Sequence, residues 1–464
     1  MNPPFLLIAA ALLLSGCAAQ KFEAKPLEPQ ALAEAFEARR LDQPGLRDYM
    51  ISRGYPADAF PIKRWGTREL TLAAFYFHPS LEVARASWKS MQAKERVADD
   101  KPLPGISTQI DRHNRIDGDS PWSYGIIFNI PIERSDKRAA RIAQAASLSE
   151  SARIEMAQTA WQVRSSLQAQ LLIQAAILDR ITLLRAEIQV RQDIVQMLQN
   201  RMDAGMASNL DLNHARLQLQ KSEQTLSALE NSLPEQRAKL AAAVGVSADA
   251  LNDIVIDRSP PQPVKLSDRK LQRAALLNRL DIRAALAKYD AVESKLRMEI
   301  ARQYPDIVLS PGYVLDQRDD LWIFGFSFLL NMLNMNEGPI ADALAQRELE
   351  ASQFLALQAK VLQALEQAHA GYQSALYNRD KQEKLLQAQK QRTALTVSQF
   401  EAGYIDRLEL TAVRLEEALA SQSLLESSIQ AESARYALED ALQKPLDMIE
   451  LPALPETETA SNEP

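Results

Sequence analysis

The chain has 464 residues, enough for about three average domains, with 46% apolar and 24% charged residues, 14 Gly, 23 Pro, 4 His and 1 Cys. A net charge of −7 offers no basic face for nucleic acid, and the apolar content is that of a folded chain. One cysteine excludes a disulfide framework and a Cys-based zinc site. His78, His113, His214 and His369 show no HxxxH or HExxH spacing, and so few glycines leave little room for an enzyme's strand-and-turn alternation.

From the amino terminus, residues 5 to 14 form an apolar run of ten residues. As a helix it would cover about 15 Å, half a bilayer core, so it reads as the apolar core of a secretion signal, although no Lys or Arg precedes it. Leu14-Ser15-Gly16-Cys17 resembles a bacterial lipobox. That resemblance implies a signal peptide over residues 1–16 and acylation of Cys17, and Ala18, in place of Asp, points to the outer membrane; an ordinary signal with an incidental Cys is the alternative. Residues 17–66 form a lead segment.

Two copies of one unit follow. Trp122-Ser123-Tyr124-Gly125-Ile126-Ile127-Phe128 returns as Trp322-Ile323-Phe324-Gly325-Phe326-Ser327-Phe328, Pro104 as Pro305, and Gly205 as Gly403. These offsets near 200 define a first repeat over residues 67–245 and a second over 267–444. A Pro-rich linker, 246–266, joins them, and an acidic tail, 445–464, with Glu456, Glu458 and Glu463, is expected to be disordered. In each repeat the order is helix, two strands, very long helix, tight turn, helix.

The strands lie near 104–131 and 305–331. Trp122, Tyr124, Ile126, Phe128 and Ile130 share one face, with Ile127 breaking the pattern on the other; Trp322, Phe324, Phe326 and Phe328 do the same in the second copy. Aromatic and apolar on one side, small and polar on the other, at about ten residues per strand, is the pattern of a membrane β-barrel strand; a half-buried hairpin on a soluble core would show it too. Four strands cannot close a barrel, so several chains would have to pool them.

Residues 139–203 hold no Pro or Gly, and residues 342–402 only Gly371, so each run makes a helix of roughly 90 to 100 Å. Leu212, Leu219, Leu226, Leu233 and Leu240 recur every seven residues after the Gly205 turn, facing Ile181, Ile188, Val195 and Met202 before it. A short turn makes such helices antiparallel neighbours with a coiled-coil seam. Pro234 is expected to bend the return helix. At the tips, Gly205 and Gly403 serve as left-handed helix stops, Ser208 and Asp406 as caps, and Asp211 and Glu409 lie near the positive end of the following helix.

The lipobox, the duplication, the two long hairpins and the paired Gly turns together resemble the TolC family of outer-membrane efflux channels over residues 67 to 444, most closely its lipidated OprM-like and CusC-like branch. The resemblance implies a mainly α fold with a small β part. Three chains would form a twelve-stranded outer-membrane barrel, four strands each, continued by an α-helical tunnel across the periplasm. A periplasmic adaptor and an inner-membrane pump of the RND, ABC or MFS class would dock at tips that open like an iris. Carried over residue by residue, Gly205 and Gly403 match the tip glycines and Asp211 the acidic position of the outer helix pair. Glu409 falls where some members place an acidic ring. Arg201, Arg407 and Arg414 are the basic residues near it, Ile405 stands where TolC has a gate-linking Arg, and a second acidic ring is absent.

The function so implied is a passive export duct of a tripartite efflux or type I secretion system, with neither catalysis, cofactor nor metal site of its own. A periplasmic lipoprotein rod without a pore is the alternative, which the aromatic strand faces argue against. The cargo stays open between drugs, metals, solvents and polypeptides: Met332, Asn334 and Met335 after the last strand are slender grounds for metal.

Overall fold

The computed structural model describes residues 22–114, 120–252, 254–256, 277–317, 319–328 and 335–446. Cys17 and its lipobox, Pro260, Pro261 and Pro263 of the linker, Met332 and Asn334, and the tail glutamates lie outside the described residues.

Two units divide the chain after Arg40. The described part of the first holds α1 (Pro29–Glu37), with the Arg39 guanidinium 5.0 Å over the Phe36 ring. The second unit runs α2 (Pro44–Ser52), β1 (Arg64–Trp65), α3 (Thr67–Phe77), α4 (Pro79–Asp99), β2 (Gly105–Arg112), β3 (Trp122–Ile132), α5 (Ser135–Asp203), α6 (Asn209–Val244), β4 (Val255–Ile256), α7 (Leu280–Ala301), β5 (Ile307–Asp316), β6 (Asp319–Phe328), α8 (Glu337–Glu401) and α9 (Arg407–Leu442).

The 69 residues of α5 and the 65 of α8 make helices of about 100 Å each. The 36-residue return helices α6 and α9 reach only about 54 Å, so each covers the tipward half of its partner. The other halves are covered by shorter helices, α4 along α5 and α7 between α5 and α8. Sequence periodicity anticipates the hairpins but not this change of partner halfway up. On the first seam Ile181, Ile188, Leu212 and Leu240 are buried, with Leu219, Leu226 and Leu233 half-buried between them. Pro234 sits inside an unbroken α6.

Where the return helices end, a wider core forms. Leu46, Met50, Leu70 and Phe77 from α2 and α3 pack on Val163, Leu167 and Leu171 of α5 and on Leu240 and Val244 of α6. Beside it β1 and β4 pair in parallel, Arg64 with Val255 and Trp65 with Ile256. The second repeat has a smaller cluster of Ile282, Val361, Leu365, Tyr372, Leu438 and Leu442.

The four longer strands form one antiparallel sheet in the order β2-β3-β5-β6. Its central pair, β3 with β5, joins the two repeats, and β2 and β6 are left as edges.

Candidate functional site

The sheet has two unlike faces. In register on one side stand Trp122, Tyr124, Ile126 and Phe128 of β3, Leu309 and Tyr313 of β5, and Trp322, Phe324 and Phe326 of β6. Trp322 is 72%, Phe324 81% and Phe326 70% exposed. Six exposed large apolar side chains on this face of β3 and four on β6 would not stay in water without a partner surface.

The opposite face carries a row of hydrogen-bonded polar side chains, with Leu321 and Ile323 of β6 as apolar exceptions. Asn129 donates to the Ser107 hydroxyl and accepts from Ser310 at 3.1 Å, tying β2, β3 and β5 together. At the far end Ser123 donates to the Asp316 carboxylate, and His113 Nε2 lies 2.7 Å from the Ser123 hydroxyl and 3.0 Å from Asp316. Ile127, the residue that breaks the alternation, faces Gly312 across the strand pair, and Gly125 faces Val314. A Cβ at Gly312 would come within 2.9 Å of Ile127 Cγ1 and 3.0 Å of the Ile126 carbonyl oxygen, and one at Gly125 within 2.9 Å of Val314 Cγ2. The two pairs interlock a large side chain with an empty position, which lets the central strands approach on this face.

Arginines that sequence reasoning did not single out join the start of α5, just after the sheet, to the end of α4. Arg138 donates to the Asp99 carbonyl oxygen at 2.7 and 3.0 Å and to its carboxylate at 2.6 Å, and Arg141 reaches the Ala98 and Asp100 carbonyl oxygens at 2.9 and 3.1 Å. Both thereby satisfy carbonyls left orphaned at the end of α4. Lys137, nearly buried, pairs with Asp306 at 2.8 Å. The only sequence signal was a cluster of four basic residues, Arg134, Lys137, Arg138 and Arg141, at a helix start, where dipole arguments disfavour cations.

The tips repeat one design. Gly205 (φ +72°) and Gly403 (φ +75°) take the left-handed conformation. Gly205 N–H bonds to the Met202 carbonyl at 2.9 Å and Met206 N–H to Arg201 at 2.7 Å; Gly403 bonds likewise to Phe400 and Tyr404 to Gln399, both at 2.9 Å. This double bond pattern closes a helix end around a residue that needs positive φ, which glycine adopts at little cost. Ser208 Oγ then accepts from Asp211 N–H at 3.1 Å and donates to the Asp211 carboxylate at 2.6 Å, and Asp406 accepts from Glu409 N–H at 2.9 Å. Asp211 and Glu409 are exposed on the first turns. Arg201, one of the three basic residues near Glu409, is bonded within this chain to Asp406 at 2.7 Å. The cap position faces α5 from the first residue before α9, within reach of an arginine in the last turn of that helix. The Arg201 guanidinium and then the Glu409 N–H hold the Asp406 carboxyl below the usual carboxylate range. Arg407 is exposed beside it.

The fold is thus two long helical hairpins joined to a four-stranded sheet with free edges. Residues 76–246 match the family model described as Outer membrane efflux protein. The cobalt-zinc-cadmium resistance protein CzcC of Cupriavidus metallidurans is 26% identical over 292 residues, 61% of this chain and 68% of that protein. Among solved structures, the outer membrane protein VceC of Vibrio cholerae superposes with a TM-score of 0.65 at 21% identity, over 82% of this chain and 96% of VceC. The outer-membrane channel OprN gives 0.67 at 17% identity, over 81% and 89%. The resemblance to the TolC family of outer-membrane efflux channels is thereby shown, in sequence over the first repeat and in fold over four-fifths of the chain.

Proposed function

We propose that three copies of this chain form a duct through the outer membrane and periplasm, the exit component of a tripartite efflux or type I secretion system. The observation that carries the reading is the sheet with its two free edges and exposed aromatic face. A bilayer tolerates such a face only on a closed barrel, because every unpaired N–H and C=O in hydrocarbon costs several kcal/mol. Three sheets of four strands, β6 of one copy beside β2 of the next, close at twelve. Trp122, Tyr124, Phe128, Trp322, Phe324, Phe326 and Phe328 then face lipid, and the Ser107–Asn129–Ser310 row faces the lumen.

The tips form the periplasmic end, where an adaptor and an RND, ABC or MFS pump dock. Gly205 and Gly403 shape it, Arg201 with Asp406 holds the two hairpins of one copy together, and three copies of Glu409 and Asp211 ring the entrance with carboxylates, which favour cations. Cys17 carries the lipid anchor. The likeness to CzcC favours divalent metal ions as cargo. The duct itself performs no chemistry.

Planar-bilayer recording tests this: the purified chain is expected to give discrete conductance steps, larger when Glu409→Ala and Asp211→Ala are combined, and silence in both would reject the duct. Palmitate labelling lost in Cys17→Ala checks the anchor. Restored cobalt, zinc and cadmium tolerance in a host lacking its own exit channel checks the cargo.

A further inference from the structure

Helices α5 and α9 run antiparallel and are cross-linked at intervals. Trp161 Nε1 and Ser165 Oγ both donate to Asp440, the first at 2.8 Å. Arg180 clamps Glu426 with two bonds of 2.6 Å, Gln422 Nε2 donates to Glu187, and Arg201 meets Asp406. From Asp406 to Gln422 is 16 residues, an arm of about 24 Å, and along it no hydrogen bond or ion pair joins the two helices among the described residues. A cavity of about 570 Å³ lies there instead, between Arg191, Ile194 and Leu198 of α5, Leu210 and His214 of α6, and Leu415 of α9.

At the upper end of that arm is Glu187, 3% exposed. Its carboxylate accepts from Arg191 Nε at 2.5 Å, from the Ser222 hydroxyl of α6 at 3.0 Å and from Gln422 of α9. One buried carboxylate therefore holds three helices at one level. A buried charge with its donors in place resists displacement, since moving any donor away leaves the charge unsatisfied. Below it the one hydrogen-bonded link from the arm to α5 among the described residues is the exposed Arg201–Asp406 pair, whereas on the α8 side Gln389 and Arg392 bond to Glu416. The lower part of α9 is thus tied to α8 and loosely to α5.

We infer that Glu187 is the fulcrum of the gate: it fixes α9 at Gln422, so that when the Arg201–Asp406 pair opens, the arm from Arg407 to Leu419 swings with the tip of α8 while α9 above Gln422 stays docked on α5. This rests on the duct reading of the tips. It makes Glu187 a positioning residue that acts through α9.

The test is double electron–electron resonance on the full chain, with nitroxide pairs at Gln196/Ala412 below Glu187 and at Leu178/Gln430 above it, all four exposed positions. Labelled chain is diluted with unlabelled chain so that each pair reports within one copy. Arg201→Ala is expected to lengthen the lower pair by about 2.5 Å, what a tilt of about 10° gives at Ala412, about 15 Å along the arm from Gln422, and to leave the upper pair unchanged. Adding Glu187→Ala is expected to lengthen the lower pair by about a further 1 Å, because the pivot then moves one turn up to the Arg180–Glu426 clamp and the arm grows by about 6 Å. Adding Glu187→Gln instead, which keeps an oxygen for Ser222 and Gln422, adds nothing. The fulcrum is overturned if the lower pair does not respond, if the upper pair moves in Arg201→Ala alone, or if Glu187→Ala adds nothing to the lower pair. Conductance of the same proteins is read separately: current absent throughout, with the distance pattern intact, rejects the duct and keeps the fulcrum.

Discussion

At the tips each chain completes its own structure. Gly205 and Gly403 close the long helices, Ser208 and Asp406 cap the next ones, and Arg201 bonds across to Asp406, so the orphan groups of four helix ends find partners within one copy. At the other end the sheet completes nothing: β2 and β6 keep free edges, and Phe324 and Phe326 stand exposed. The difference teaches where assembly and lipid are needed. The tip is a finished surface whose contacts are exposed and individually weak, while the sheet presents unpaired edges and an uncovered aromatic face, which the proposed duct would close and cover.

The sharpest way to break this comparison is a charge on the sheet. Phe324→Lys is expected to destabilise the folded protein in lipid by about 2–4 kcal/mol per chain if the residue faces the bilayer interior, read from denaturant unfolding of the reconstituted protein. A water-facing strand would tolerate the change to within about 0.5 kcal/mol. Next in size is Gly312→Val, where the new side chain meets Ile127 and the Ile126 carbonyl; a loss of about 1–3 kcal/mol in the same assay is expected from overpacking. At the tips, Ser208→Ala should cost about 1 kcal/mol through the lost cap, seen as faster hydrogen exchange confined to the first turn of α6. The smallest effect is on pH. Because the folded-state pKa of Asp406 is depressed, the contribution of its ion pair is present above the ordinary carboxylate value of about 3.9 and is lost as pH falls through the lower folded value. A nitroxide at the exposed Met206 should keep the same mobility at pH 7 and pH 5 and loosen only below about pH 4.

The long helices, the hairpins and the alternating strand faces were legible because each is a periodic pattern in local sequence, and the Gly turns because positive φ leaves a residue-type signature. What sequence did not show depends on contacts between distant segments. The hand-over from α6 to α4 along α5 leaves no mark in α5 itself, whose apolar pattern continues through it. Ile127 read as an error in alternation until Gly312, on a strand from the other repeat, gave it a place. Glu187 was hidden for a related reason: a carboxylate beside Ile188 on an apolar seam looks like a solvated helix residue unless Ser222 and Gln422 are known to meet it. That Arg201 bonds to the cap Asp406, three residues before Glu409, is a distinction closer than spacing arguments resolve.

The central claim is that the unfinished sheet is finished by other copies of the same chain. Electron microscopy of the purified full-length protein in lipid nanodiscs tests it most directly. The account predicts a hollow particle with threefold symmetry about 130 Å long, the length of α5 plus the height of a membrane barrel, with the bilayer girdling the sheet end. A solid rod, or a single copy lying free of the bilayer, would contradict it.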